Sequence, residues 1–304
     1  MTQKKNIRFD WAMKRLLRNK ANHRVLEGFL SELLREDVII KKQLDPEGNQ
    51  DFPDNKFNRV DILVENSKGE LLIIEMQNSS EPDYLLRMLY GTSRAITNHI
   101  QLGEDYINVR KVYSINIIYF ELGQGQDYVY HGKSEFLGIH QQDVLELTAR
   151  QKEYFGKDAI SALYPEYYII KVNDFDNVAK DTLDEWIYYL KNNVILDTFK
   201  AKGLAEARKV LIEDNMPREE YEAYRKYVDG TLYEKNALKE AESKGEARGE
   251  AKGKVEGKAE GEWNKAIQVV LDSHKAGLPL DTIAAITRLT PEQITAILKE
   301  QGLI

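Results

Sequence analysis

At 304 residues with 42% hydrophobic side chains, the chain is long enough for one large domain with a smaller one, and apolar enough to bury a core. It has no cysteine, which excludes a disulfide framework and a thiolate zinc site and fits a reducing compartment. The formal net charge of −7 excludes the overall basic surface of many nucleic-acid binders. The start MTQKKNIRFDW lacks an apolar leader core, and no later stretch approaches the roughly 20 apolar residues of a bilayer span, so a cytoplasmic protein without membrane contact is expected. Charge is unevenly spread: Lys4, Lys5, Arg8, Lys14, Arg15, Arg18, Lys20 and Arg24 face a single acid, Asp10, in the opening segment.

Helical periodicity runs over about 10–17 and again over 22–34, where Val25, Leu26, Phe29, Leu30, Leu33 and Leu34 recur at helical spacing. After a polar stretch with Asp45, Pro46, Gly48 and Pro53, the period changes to two. Residues 59–64 and 71–77 read as strands of a hairpin, joined through Asn66, Ser67, Lys68 and Gly69. Pro82 opens a helix with Leu85, Met88, Leu89, Thr92, Ala95 and Ile96 on one face, and VYSINIIYF at 112–120 reads as a buried strand. Residues 128–136 and 167–172 are further extended segments, 181–193 is an amphipathic helix, and weaker helical segments continue to about residue 233.

Between Gly245 and Gly261 the chain repeats a four-residue unit, KGEARGEAKGKVEGKAEG. Internal glycines cost a helix roughly 1 kcal/mol each relative to alanine, so two readings stand: a solvated tether, or a helix whose glycine stripe admits a close partner. Residues 263–304 hold three short amphipathic segments, with Thr290, Pro291 and Gln293 as an N-terminal capping signature for the last. That last helix offers Lys299 against Glu292 and Glu300, so this helix-turn-helix-like module suits packing or oligomerisation better than major-groove reading. The expected domains are 1–235, a repeat at 236–262 and a helical module at 263–304.

Chemistry is expected where the hairpin opens. Alternation puts Asp61 on one face of its strand and Glu75 and Gln77 on one face of the partner. If 67–69 form a three-residue loop with Gly69 in the left-handed region, opposed residue numbers sum to 136 and Asp61 faces Glu75. Like charges so placed repel unless neutralised, and two hard carboxylates suit Mg²⁺ or Mn²⁺. The bland alternative is an edge aspartate and a strand-ending glutamate that face water.

FDWAMKRLL near the start, RVDILVENSKGELLIIEMQN, RMLYGTSRAI and the glycine-every-four repeat together resemble the recombination-promoting nuclease and transposase family of the PD-(D/E)XK superfamily. The resemblance is closest over about 8–121. It implies an α/β, restriction-endonuclease-like core with a C-terminal helical extension, and roles for Asp61 and Glu75 in binding catalytic Mg²⁺. Gln77 stands where the superfamily has lysine and offers only a neutral hydrogen bond; the E-x-Q form is usual in this family. A further acid from the first helices is expected, Glu27 before Glu32. Asp10 matches an acid of the opening motif, with helix capping as its plainer role. Arg87, Tyr90 and Arg94 on the helix after the hairpin, with Lys14, Arg15 and Arg18, are candidates for phosphate contact, although Arg87 could equally pair with a carboxylate.

The expected function is a Mg²⁺-dependent DNA endonuclease of low sequence specificity, dimeric through its C-terminal region, acting in recombination, mobile-element movement or phage defence. The alternatives are a non-cleaving DNA-binding protein that keeps the nuclease fold, and a regulatory protein that self-associates through the repeat.

Overall fold

The computed structural model describes residues 6–15, 22–44, 61–212 and 216–304, with the backbone alone for 13–15, 234, 235, 238 and 242. The polar stretch around Pro46 and Pro53, and the expected strand residues 59 and 60, lie outside the described residues. The chain divides into two compact units, residues 1–225 and 226–304.

In the first unit, helices α1 (Phe9–Arg15) and α2 (His23–Leu34) precede strands β1 (Ile40–Leu44), β2 (Ile62–Asn66) and β3 (Leu71–Gln77). Helix α3 (Tyr84–Thr97), strands β4 (Val112–Ile118) and β5 (Val129–Gly132), helix α4 (Ala149–Phe155), strand β6 (Glu166–Lys171), and helices α5 (Thr182–Asn192) and α6 (Leu204–Val210) follow. The unit ends within the opening turns of α7 (Arg218–Lys275). The strands form one sheet in the order β1-β2-β3-β4-β6-β5. Its centre is parallel, β3 with β4 and β4 with β6, and antiparallel strands flank it.

Sequence explains that order. LLIIEMQ and VYSINII are apolar on both faces, as strands covered from both sides must be. On one face Leu63, Leu71, Ile73 and Val112 pack with Ala95 of α3; on the other, Leu72, Ile74, Ile115 and Ile117 are sealed from solvent. Phe9, Phe29, Trp186 and Tyr189 meet edge to face across α1, α2 and α5, the Phe29 and Trp186 rings 5.6 Å apart, a geometry aromatic quadrupoles favour. Helices α2 and α6 touch through glycine: a Cβ on Gly28 would lie 2.3 Å from the Lys202 carbonyl oxygen.

Two expectations about elements need correction. The buried face of α3 is Tyr84, Met88, Gly91, Thr92 and Ala95, whereas Leu85 and Leu89 are 55% and 54% exposed. The buried stripe lies one residue round the helix from the leucines, because polar Thr92 donates to the Met88 carbonyl at 2.9 Å and Tyr84 donates to Asn116 Oδ1 at 3.2 Å, so both bury without loss. Strand β1 lies outside the strands that the sequence pattern predicts. Its sequence IKKQL does not alternate, and its lysines point to Glu65 of β2 at 3.3 and 3.4 Å.

In the second unit the rest of α7 runs to Lys275, followed by α8 (Leu280–Thr287) and α9 (Pro291–Glu300). Val270, Ile283, Ile294, Ile297 and Leu298 make its core. Thr290 caps α9 in a reciprocal capping box with Gln293. Residues 245–261 run through α7 as helix, and nothing lies within 4 Å of where a Cβ would stand on any of its five glycines.

Candidate active site

The turn sets the site. Gly69 adopts φ +78°, Gly69 N–H donates to the Asn66 carbonyl at 3.0 Å, and Asn66 Oδ1 accepts the Lys68 and Glu70 amides at 3.0 and 2.9 Å. With the three-residue loop closed this way, Ile62 opposes Ile74 and Leu63 opposes Ile73; Asp61 is the residue just before β2, and its charge acts on Glu75, the residue just after Ile74. Asp61 Oδ2 accepts the Met76 backbone N–H at 2.8 Å, which pins its carboxylate to the end of β3.

Glu75 is 6% exposed and lies beside Asn116 in the parallel register of β4. Burial pushes its carboxyl up to about 7, the charges of Asp61 and Glu81 add to the rise, and Arg87 opposes it. Arg87 Nη2 lies 3.4 Å from Glu75 Oε2, while its Nη1 donates to Glu81 Oε1 at 2.7 Å. That same Glu81 oxygen accepts from Gln77 Nε2 at 2.8 Å. Buried Tyr84 has its phenol raised, by burial first and then by the Glu75 charge.

The carboxylates thus outnumber the guanidinium among them. Two hard oxygen donors on a fixed ribbon, one buried and short of counter-charge, fit a dication that keeps several waters. Among the described residues no group of three or more His, Cys, Asp or Glu stands ready for a metal, so the fit rests on Asp61 and Glu75 together with solvent.

The other candidates fall elsewhere. Glu27 Oε1 accepts the Ile40 N–H at 2.8 Å and so ties α2 to β1, since a helical period alone does not say which strand a side chain meets. Glu32 accepts from Thr182 Oγ1 at 2.5 Å and from the Lys202 N–H at 2.9 Å. Asp10 is 1% exposed and receives Arg8 through two bonds of 3.1 and 2.8 Å. Arg8 and Asp10 also bond Asn78, the residue after Gln77, at 3.2 and 3.3 Å. Asp10 Oδ1 also accepts the Trp11 backbone N–H in the first turn of α1 at 2.8 Å, so Asp10 serves the helix start and braces the strand end together. Arg87 pairs with carboxylates, and Arg94 is half-buried near the far end of α3. Arg18 and the side chains of Lys14 and Arg15 lie outside the described residues. Sequence reasoning missed Glu81, which sits in no periodic element; its one signal is the acid immediately before Pro82.

A mixed sheet whose central hairpin ends in an aspartate, a buried glutamate and a glutamine is the core of a nuclease of the PD-(D/E)XK class. A sequence profile described as PD-(D/E)XK nuclease family transposase matches residues 7–241, and the chain belongs to that family. No curated protein and no solved structure matches it. Membership implies nuclease chemistry on DNA, and such nucleases generally use Mg²⁺ or Mn²⁺. No helix among the described residues is long and apolar enough to cross a membrane.

Proposed function

We propose that the chain is a Mg²⁺- or Mn²⁺-dependent DNA endonuclease of low sequence specificity, with Asp61 and Glu75 holding the ion and Gln77 beside the attacking water. The observation that carries this reading is the carboxylate pair itself: Asp61 pinned by the Met76 amide at 2.8 Å and acting on a buried Glu75 with too little counter-charge. When bound, the ion lowers the pKa of its water and offsets charge on the scissile phosphate. The chain's own residues do the positioning. Asp61 and Glu75 would fix where the ion sits relative to β3, and Gln77 orients the water for in-line attack on phosphorus. As the new P–O bond forms the water loses its proton to bulk solvent, and the P–O bond to the leaving 3′ or 5′ oxygen breaks with that oxygen taking a proton from solvent. On this reading Arg87, 28% exposed, also meets the phosphate backbone, a contact that carries no sequence information.

The helical repeat, on the same reading, is where two copies associate, so that paired sites cut paired strands in recombination, mobile-element movement or phage defence. A second reading, a non-cleaving DNA-binding protein, draws on one observation: Arg87 and Glu81 already occupy Glu75 and Gln77. Supercoiled plasmid separates the two. The endonuclease nicks it with Mg²⁺ and not with EDTA, and Asp61→Ala and Glu75→Ala abolish nicking. Salt-dependent DNA binding with no turnover, or nicking that survives both substitutions, refutes the proposal.

A further inference from the structure

Gln77 is the residue at which this chain departs from a lysine site, and its surroundings fix what its amide can offer. Nε2 carries two hydrogens. One is donated to Glu81 Oε1 at 2.8 Å and the other to the Ser79 carbonyl at 3.2 Å. Both neighbours are acceptors only, so the opposite amide orientation would set Oε1 against a carboxylate and a carbonyl. Glu81 is held in turn by Arg87, whose Nη1 reaches the same oxygen at 2.7 Å. With both hydrogens spent, Oε1 is what the side chain has left to present.

We infer that Gln77 works as a hydrogen-bond acceptor, and that Glu81 is the positioning residue that fixes this polarity, the reverse of what an ammonium group would supply. The inference rests on the endonuclease reading above. Gln77 Oε1 accepts a hydrogen bond from the attacking water and aims the water's lone pair at phosphorus. It takes no proton and donates nothing to the phosphorane, so charge there falls to Arg87 and the ion. Glu81, about a third exposed at 32%, acts through Gln77 and touches neither water nor DNA.

Single-turnover and steady-state nicking of plasmid in Mg²⁺, with melting temperatures measured alongside, tests this in four proteins. Glu81→Gln is isosteric and lets the Gln77 amide turn over: kcat is expected to fall tenfold or more with KM for DNA within twofold and the melting temperature kept. Gln77→Glu sets two carboxylates against each other and loses activity. The reciprocal swap, Gln77→Glu with Glu81→Gln, restores the hydrogen bond between 77 and 81, keeps the site's total charge, and again leaves an acceptor facing the water; kcat is expected to recover to within a few-fold of wild type. If position 77 must donate, the swap stays dead although its melting temperature is normal, and the inference is overturned. It is also overturned if Glu81→Gln leaves kcat unchanged. A wild-type protein that does not nick at all overturns the endonuclease reading itself, and this inference with it, which sets the two failures apart.

Discussion

Glu75 concentrates the electrostatics of the site. Its carboxyl, ordinarily near 4.5, is raised to about 7, by burial first and then by Asp61 and Glu81. Between those two values the native state keeps a proton that the unfolded chain has released, so stability falls as pH rises across this window. The span corresponds to on the order of 3 kcal/mol by proton linkage. A dication bound to the ionised carboxylate acts in the opposite sense. Without metal, the wild type should therefore melt lower at about pH 8 than at about pH 5.5, and Glu75→Gln should remove that part of the difference while abolishing nicking. Added Mg²⁺ should raise the wild-type melting temperature at the higher pH and have little effect at the lower. A Mg²⁺ shift of equal size at both pH values would contradict this account. Asp10 makes a separate prediction. Asp10 is buried and Arg8 partly exposed, so Asp10→Ala loses charge-assisted hydrogen bonds while Arg8 keeps some access to water, and it should lower stability by about 1.5 to 3 kcal/mol in a denaturant titration. Its effect on nicking should track the unfolded fraction together with looser placement of Asn78.

The hairpin is the element in which sequence spoke most clearly. A three-residue loop ending in glycine leaves one register, and that register alone brings Asp61 and Glu75 together; alternation then makes one end of the ribbon polar. Gly69 at φ +78° closes that loop. It has open space around it, so a side chain there is penalised by backbone strain and not by a clash. Gly69→Val should destabilise the protein by about 1 to 2 kcal/mol, read as a lower urea midpoint with an unchanged slope. Other elements were less legible, for physical reasons. Strand β1 is charged and non-alternating, as edge strands often are, and its lysines serve Glu65. The α3 leucines imitated a core face that the structure gives instead to Tyr84, Met88 and Thr92. Glu81 was invisible because its partners, Gln77 and Arg87, converge on it only through the turn that joins β3 to α3. Glu27 stands on the expected helical face, but what that face meets is β1, which no period in the sequence disclosed.

At the scale of the molecule, the family match ends at residue 241, while the first unit depends on the opening turns of α7. Tyr224 is 2% exposed, its hydroxyl accepts the Arg8 N–H at 3.2 Å, and its ring meets Trp11 at 5.7 Å. A chain ending at 241 should keep the melting temperature and metal-dependent nicking of the first unit, whereas one ending at 217 should lose several degrees, since it removes a buried aromatic with its hydrogen bond. The rest of α7 poses the opposite problem. Its repeat segment is solvent-facing along its length, with open space at all five glycines, and glycine costs an exposed helix roughly 1 kcal/mol per residue relative to alanine. A lone helix of this composition is poorly stabilised, and on the proposed reading close packing of a second copy along the glycine stripe would supply what it lacks. Leucine at Gly249 and Gly253 separates the two influences, because it improves intrinsic helix propensity while holding a neighbouring backbone away. For the double substitution we expect a monomer in sedimentation equilibrium where the wild type is a dimer, with helicity of the isolated 241–304 segment raised at low concentration. Association unchanged by two leucines on the stripe would exclude the glycine face as the contact between copies.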